Sequence, residues 1–170
     1  MREILFRGKR ADNGEWVQSG NLIHFVKDGS DFFFMAATGE DAGVTVDASM
    51  NIIGMDPVKL YFMRQETIGQ YTGLMDKNGK MIFEGDIIEA PEYADSLGVV
   101  CFGNHPPHVS HLEGTATGFY IKWHGESDGL LRTDIGYWVD HAERTVVGNI
   151  YDNPELLSGD EEDARVTADH

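Results

Sequence analysis

The sequence predicts a mainly β protein: antiparallel coiled sheets, a small SH3-like or otherwise barrel-like C-terminal half, and a short C-terminal helical turn. Three observations carry this expectation. Asn-Gly and Asp-Gly turn signals separate short β-branched and aromatic runs along much of the chain. Twenty glycines are scattered without a period, as in turn-rich β proteins rather than helical or collagen-like ones. No helix-periodic stretch of about ten to twelve residues separates the strand-like runs, which argues against parallel βαβ packing.

From the N-terminus, residues 1–66 read as one meandering β layer. Ile4 and Phe6 alternate with Leu5, Arg7 and Lys9, then Asp12-Asn13-Gly14 turns the chain into Glu15-Trp16-Val17. Asn21 to Val26 forms the next strand. Asp28-Gly29-Ser30-Asp31 turns it into the run Phe32-Phe33-Phe34-Met35. Three consecutive Phe cannot all face one side of a strand, so either both faces are covered or one is an interface. Thr38 to Gly43 reads as an acidic loop, with short strands at Val44-Thr45-Val46 and Asn51-Ile52-Ile53. Pro57 holds Asp56 extended, and Val58 to Met63 is the last strand of the layer.

The barrel-like half, residues 67–157, begins at a hairpin over 67–88. Two apolar-rich runs, Ile68 to Met75 and Lys80 to Phe83, flank Asp76-Lys77-Asn78-Gly79. A two-residue type I′ loop on Asn78-Gly79 fits, and so does a type I turn with Asp76 first and Gly79 in a left-handed bulge. The second is preferred, because Asp at the first turn position can accept backbone N–H groups. Glycines 69, 73, 79 and 85 would set the corners of a strongly curved sheet. Strands follow at Ile87 to Ala90, Leu97 to Phe102, Phe119 to Trp123 and Arg144 to Ile150. Short strands or turns are expected at Ser127 to Arg132 and Tyr137 to Val139. Asn153 is placed as N-cap of a one-turn helix with Pro154 at its first position. Residues 158–170, with five acids and one base, read as a disordered acidic tail.

The formal net charge is −16, and it is uneven: residues 1–66 carry ten acids against seven bases, residues 91–157 ten against three. Such a field repels nucleic-acid phosphates and favours basic partners. Cys101 has no second cysteine to pair with and sits in an apolar run, where an inert buried thiol is expected. No run approaches the roughly 18 apolar residues of a membrane span and no secretory h-region is present, so a cytoplasmic protein without membrane contact is expected.

Candidate chemistry is sparse. His105, His108 and His111 form the one cluster with metal-ligand residue types, and a metal-dependent enzyme built on them is an alternative reading. Pro106 and Pro107 prevent a helix there, and in an extended chain rings three positions apart lie roughly 9–10 Å from one another. A zinc ion needs each nitrogen at about 2 Å, so no metal and no cofactor is expected. His24, His124 and His141 are isolated. Ser110 and Ser127 lack a nucleophile elbow, Gly114 to Gly118 has the wrong spacing for a dinucleotide loop, and Asp76-x-Asn78-Gly79 puts its Gly too early for an EF-hand. Arg7, Lys9 and Arg10 with Trp16 and the Phe32 to Phe34 run could make a small cation–aromatic platform for nucleic acid, which the net charge disfavours.

The chain's landmarks resemble the signature of the YopX family, proteins of bacterial phages and prophages. They are Phe6-Arg7-Gly8-Lys9, Asn13-Gly14-Glu15-Trp16, Thr67 to Leu74, Asp76 to Lys80, Phe83 to Ile88, and Val147 to Leu157. The resemblance implies a predominantly β protein encoded by a mobile element and transfers no catalytic residue. Loops 27–50 and 103–117 match no landmark of that family. Asp76, Glu84 and Asp86 are read as structural, since a motif this rich in turn residues specifies geometry. The expectation is a phage or prophage accessory protein that binds another protein or itself, more plausibly a module than an enzyme. A nucleic-acid-binding β surface is the alternative. Loops 27–50 and 103–117 are the expected seat of function.

Overall fold

The computed structural model describes residues 3–36, 44–46, 52–55, 59–90, 96–105, 114–124, 135–136 and 144–158. Residues 159–170 of the expected acidic tail, the strands or turns at 127–132 and 137–139, and the parts 37–43, 47–50 and 106–113 of the loops 27–50 and 103–117 lie outside them. Two compact units divide the chain, Met1–Gln70 and Tyr71–His170. No helix among the described residues is long and apolar enough to cross a membrane.

In the first unit, β1 (Phe6–Lys9) and β2 (Trp16–Ser19) form the expected hairpin, with Lys9 opposite Trp16. The turn is closed by Gly14 N–H donating to the Arg10 carbonyl at 3.0 Å. β3 (Leu22–Lys27) and β4 (Ser30–Ala36) pair with Lys27 opposite Ser30, leaving a two-residue loop at Asp28-Gly29. Both loop residues have positive φ, 52° and 76°, which is the type I′ turn that matches the twist of paired strands. β5 (Val44–Val46) pairs with β6 (Ile52–Met55). β7 (Leu60–Phe62) then joins the far side of β4, giving the order β3-β4-β7. Its continuation, Met63, bridges to Arg10, so the chain passes from one sheet to the next without a break. A 3-10 turn at Gln65–Thr67 follows, tied to β1 through the Lys9 N–H donating to Thr67 Oγ1 at 2.8 Å. Met35 and Met63 are the buried centre. Gly8 makes room for them: a Cβ there would lie 3.1 Å from the Met63 terminal methyl.

β8 (Gly69–Met75) straddles the boundary between the units. Gly69 and Gln70 pair with β1, while Tyr71 and Met75 pair with β9 (Met81–Phe83). The loop between β8 and β9 is the preferred one of the two that fit the sequence. Gly79 N–H donates to the Asp76 carbonyl at 2.9 Å and Gly79 has φ 79°, while Asn78 stays out of the left-handed region. Gly73 and Gly85 also take positive φ, as corners require; Gly69 does not, being a ladder residue opposite Arg7.

β10 (Asp86–Ala90), β11 (Ser96–His105), β12 (Ala116–Trp123) and β13 (Thr145–Asn149) form an antiparallel sheet in the order β12-β11-β10-β13. The mainly β, antiparallel architecture is therefore as the sequence predicts. Among the described residues this sheet stays open, with β12 and β13 as its edges, so the barrel-like character does not reach closure. Its core gathers Ile82, Ile88, Val100, Ile121, Trp123, Ile135 and Val146. β11 runs three residues past the predicted end at Phe102, because Gly103, Asn104 and His105 pair with Gly118, Thr117 and Ala116. Near the end of the described residues is a 3-10 turn at Pro154–Leu157. Asn153 holds the N-cap position without a side-chain cap; its Oδ1 instead accepts the Asn149 N–H at 3.4 Å.

Candidate binding surface

Strand alternation sorts the Phe32-Phe33-Phe34 run. Phe32 and Phe34 share one face of the β3-β4-β7 sheet with Ile23, Phe25, Leu60 and Phe62, while Phe33 turns to the other with His24, Met35 and Tyr61. On the first face Phe62 lies 5.4 Å from Phe34 and 6.1 Å from Phe32, and Phe25 meets Phe34 edge-on at 5.9 Å. These are favourable ring geometries, yet the cluster is not sealed. Phe25, Phe62 and Leu60 remain 54%, 46% and 44% exposed. A contiguous exposed aromatic patch of this kind marks an interaction site more often than an isolated surface residue does. On the opposite face the His24 ring stacks on Phe33 at 4.5 Å, and its Nε2 lies 2.6 Å from Asp31 Oδ1.

Beside β7 an open depression of about 450 Å³ is lined by Arg10, Ala11, Asp12 and Lys59 to Phe62. The Arg10 guanidinium sits 4.3 Å over the Tyr61 ring, with Lys59 Nζ at 5.2 Å. Arg10 Nε donates to Asp12 Oδ1 at 2.9 Å and Nη1 lies 3.3 Å from Glu15 Oε2. The hydrogen bond to Asp12 raises the Arg10 pKa and lowers that of Asp12. The guanidinium is thus already neutralised by two carboxylates, which weakens the depression as an anion site.

The other expected residues fall in different places. His105 ends β11, buried and stacked on Tyr120 at 5.1 Å. His108, His111 and His141 lie outside the described residues. Among the described residues no three His, Cys, Asp or Glu side chains are arranged to hold a metal ion. Cys101 is half-buried, and burial is the main reason its thiol pKa is raised, as it is for the Tyr120 hydroxyl across the strand pair. Arg7 and Lys9 do approach Trp16, at 5.0 and 5.3 Å from the ring centre, while Arg10 is drawn away to Tyr61. Two cations over the indole occupy the surface a nucleobase would need for stacking.

Asp76 and Asp86 act as staples. Asp76 Oδ1 accepts the N–H groups of Asn78 and Lys80 at 2.8 and 2.9 Å, and Oδ2 accepts the Val146 N–H at 3.1 Å. Asp86 Oδ2 accepts the Phe83 N–H at 2.8 Å across the Glu84-Gly85 corner. That corner meets the C-terminal landmark directly: the Ile150 N–H donates to the Gly85 carbonyl at 2.9 Å, and Asp86 pairs with Asn149.

The family model described as YopX protein matches residues 5–158. The chain belongs to the YopX family. Among solved structures, the crystal structure of protein EF1440 from Enterococcus faecalis is similar at 24% identity, covering 91% of this chain and 97% of that one, with a TM-score of 0.47. No curated protein matches. In this YopX chain the Phe83-to-Ile88 and Val147-to-Leu157 landmarks form one hydrogen-bonded corner, and the Asp76-to-Lys80 turn is bonded to Arg144 and Val146 just before the last of them, which accounts for all three as scaffold. The aromatic face lies outside them, and of its residues only Phe32 and Phe34 fall within the segment 27–50. Sequence reading missed Leu60 and Phe62 as surface residues. They sit in a run correctly read as a strand, but its pairing partner β4 lies about 25 positions earlier, and no local signal announces that register.

Proposed function

We propose that this YopX chain is a non-catalytic binding module of a phage or prophage, working in the cytoplasm, whose contact surface is the aromatic face of the β3-β4-β7 sheet. The observation that supports this most directly is the run of rings Phe25-Phe34-Phe62-Phe32, in mutual contact yet half open to solvent. The partner is a protein, foreign or a second copy of the chain, that covers the rings with apolar side chains. The test is capture from the native host with the wild type and with a Phe25→Asp/Phe62→Asp double variant. Partners retained by the wild type at high salt and lost by the double variant support the reading; equal capture by both overturns it.

A second reading rests on charge. Residues 71–170 carry nineteen acids against six bases, a field suited to basic partners. Capture through that half would fall steeply between low and high salt and would be indifferent to Phe25 and Phe62.

A further inference from the structure

β3 is an edge strand that is exposed on both of its faces. Phe25 points to the aromatic side, and Val26, 67% exposed, points to the other. The two-residue Asp28-Gly29 turn makes Lys27 opposite Ser30 a hydrogen-bonded pair, so Lys27, Phe25 and Ile23 exchange backbone bonds with β4. It follows that the N–H and C=O groups of Leu22, His24 and Val26 point outward, along the edge of the sheet. Among the described residues no strand pairs there. The usual protections of an edge are also missing: β3 has no proline, its register with β4 is unbroken, and its one formally charged residue, Lys27, stands at its end. A partner laid on the aromatic face alone would leave Val26 bare. A strand added along the edge would cover the flanks of both.

We propose that the occupant of this edge is β3 of a second copy, paired antiparallel about a two-fold axis through His24. The pairing deepens the binding reading and rests on its placing the contact on this sheet. Only even-numbered residues face outward, so the register that bonds them sets His24 against His24, Leu22 against Val26, and Ile23 against Phe25 of the second copy. From Leu22 to Val26 every cross-strand pair other than the central one is apolar, Lys27 stands opposite the neutral Asn21 of the second copy, no like formal charges meet, and each His24 keeps its own Asp31 at 2.6 Å. Charge favours this location as well. Residues 1–70 hold ten acids and seven bases, so the unit that carries the edge is itself close to neutral and adds little repulsion of its own between copies. The result is a six-stranded sheet whose two aromatic faces run on into one another.

The experiment uses the full chain. With Cys101→Ser as background, single His24→Cys and Val26→Cys variants are oxidised under mild conditions. Opposed residues of a hydrogen-bonded pair stand about 5.5 Å apart at Cα, within disulfide reach. His24→Cys is expected to give a disulfide-linked dimer quickly, and Val26→Cys, which faces Leu22, is not. In parallel, sedimentation follows dimerisation with concentration. Val26→Pro removes an outward N–H while sparing the β3–β4 ladder, and should weaken the dimer by roughly tenfold or more. A wild type that stays monomeric at every concentration, or equal cross-linking at positions 24 and 26, overturns the pairing. If the wild type is monomeric yet the Phe25→Asp/Phe62→Asp variant loses a captured protein, self-pairing fails while the binding reading stands.

Discussion

Asp76 and Val146 are seventy residues apart in sequence and joined by one hydrogen bond, the Val146 N–H donating to Asp76 Oδ2 at 3.1 Å. The same carboxylate closes its own turn through Asn78 and Lys80. One side chain therefore fixes a local loop and ties it to a distant strand. Burial pushes the Asp76 pKa up, but the N–H groups of Lys80, Val146 and Asn78 together outweigh it, and the net shift is downward.

That direction sets a pH prediction. A carboxylate whose folded pKa lies below its unfolded value of about 3.9 contributes stability that is complete above that value and is lost as pH falls through the folded pKa. Asp76→Asn keeps one acceptor and turns an amide N–H₂ toward a backbone donor. It is expected to cost about 1–3 kcal/mol near neutral pH. The variant and the wild type should converge as pH drops below about 4. Urea titrations at several pH values check both; a difference constant down to pH 2 would mean that the carboxylate charge is not what matters.

Two glycines should respond to alanine for opposite reasons. A Cβ at Gly98 would stand 2.3 Å from Ile121 Cγ2 and 2.8 Å from the Trp123 ring, both buried core atoms. Gly98→Ala must displace them, at about 1–3 kcal/mol or more. At Gly79 nothing lies within 4 Å of an added Cβ, but φ is 79°, so Gly79→Ala pays only for the left-handed backbone, about 1 kcal/mol. Asparagine, which tolerates that conformation better, should recover part of the Gly79 loss. It should recover none at Gly98. Thermal melts of the four variants make the comparison.

The fold was legible where chemistry is local. Asp28-Gly29, Asp76 to Gly79 and Glu84-Gly85 name their turns through residues that accept N–H groups or adopt positive φ, and turns fix which strands are neighbours. What was not legible depended on pairing at a distance. Gly103-Asn104 reads as the start of a loop, yet the ladder with β12 carries it on as strand. The candidate surface shows the same division. The Phe32 to Phe34 run posed the question of an interface, but its answer required Phe62, which joins only through the β4–β7 register. Asn153 stands at the cap position that its place before Pro154 predicts, while its side chain accepts the Asn149 N–H instead.

The metal reading makes a clean prediction through His105. Its imidazole is buried and stacked on Tyr120, and recruiting it to a metal would break that stack. Zinc added to the full chain should leave its melting temperature unchanged, whereas His105→Ala should lower stability by about 1 kcal/mol through lost packing. A zinc-induced rise in melting temperature that disappears in His105→Ala would restore the His105, His108 and His111 site.

The aromatic face predicts a separation of folding from binding. Phe25 and Phe62 are about half exposed, so Phe25→Asp or Phe62→Asp removes only part of a ring's burial. Each should destabilise the chain by no more than about 1 kcal/mol. Met35, in contrast, is wholly buried between the same strands, and Met35→Ala should cost about 2–5 kcal/mol. A surface kept apolar for packing alone would show the reverse trend at Phe25 and Phe62, with losses approaching that of Met35. Denaturant midpoints for the three variants decide between them. Small losses at both phenylalanines, alongside weakened association, place the value of those rings in what they contact outside the chain.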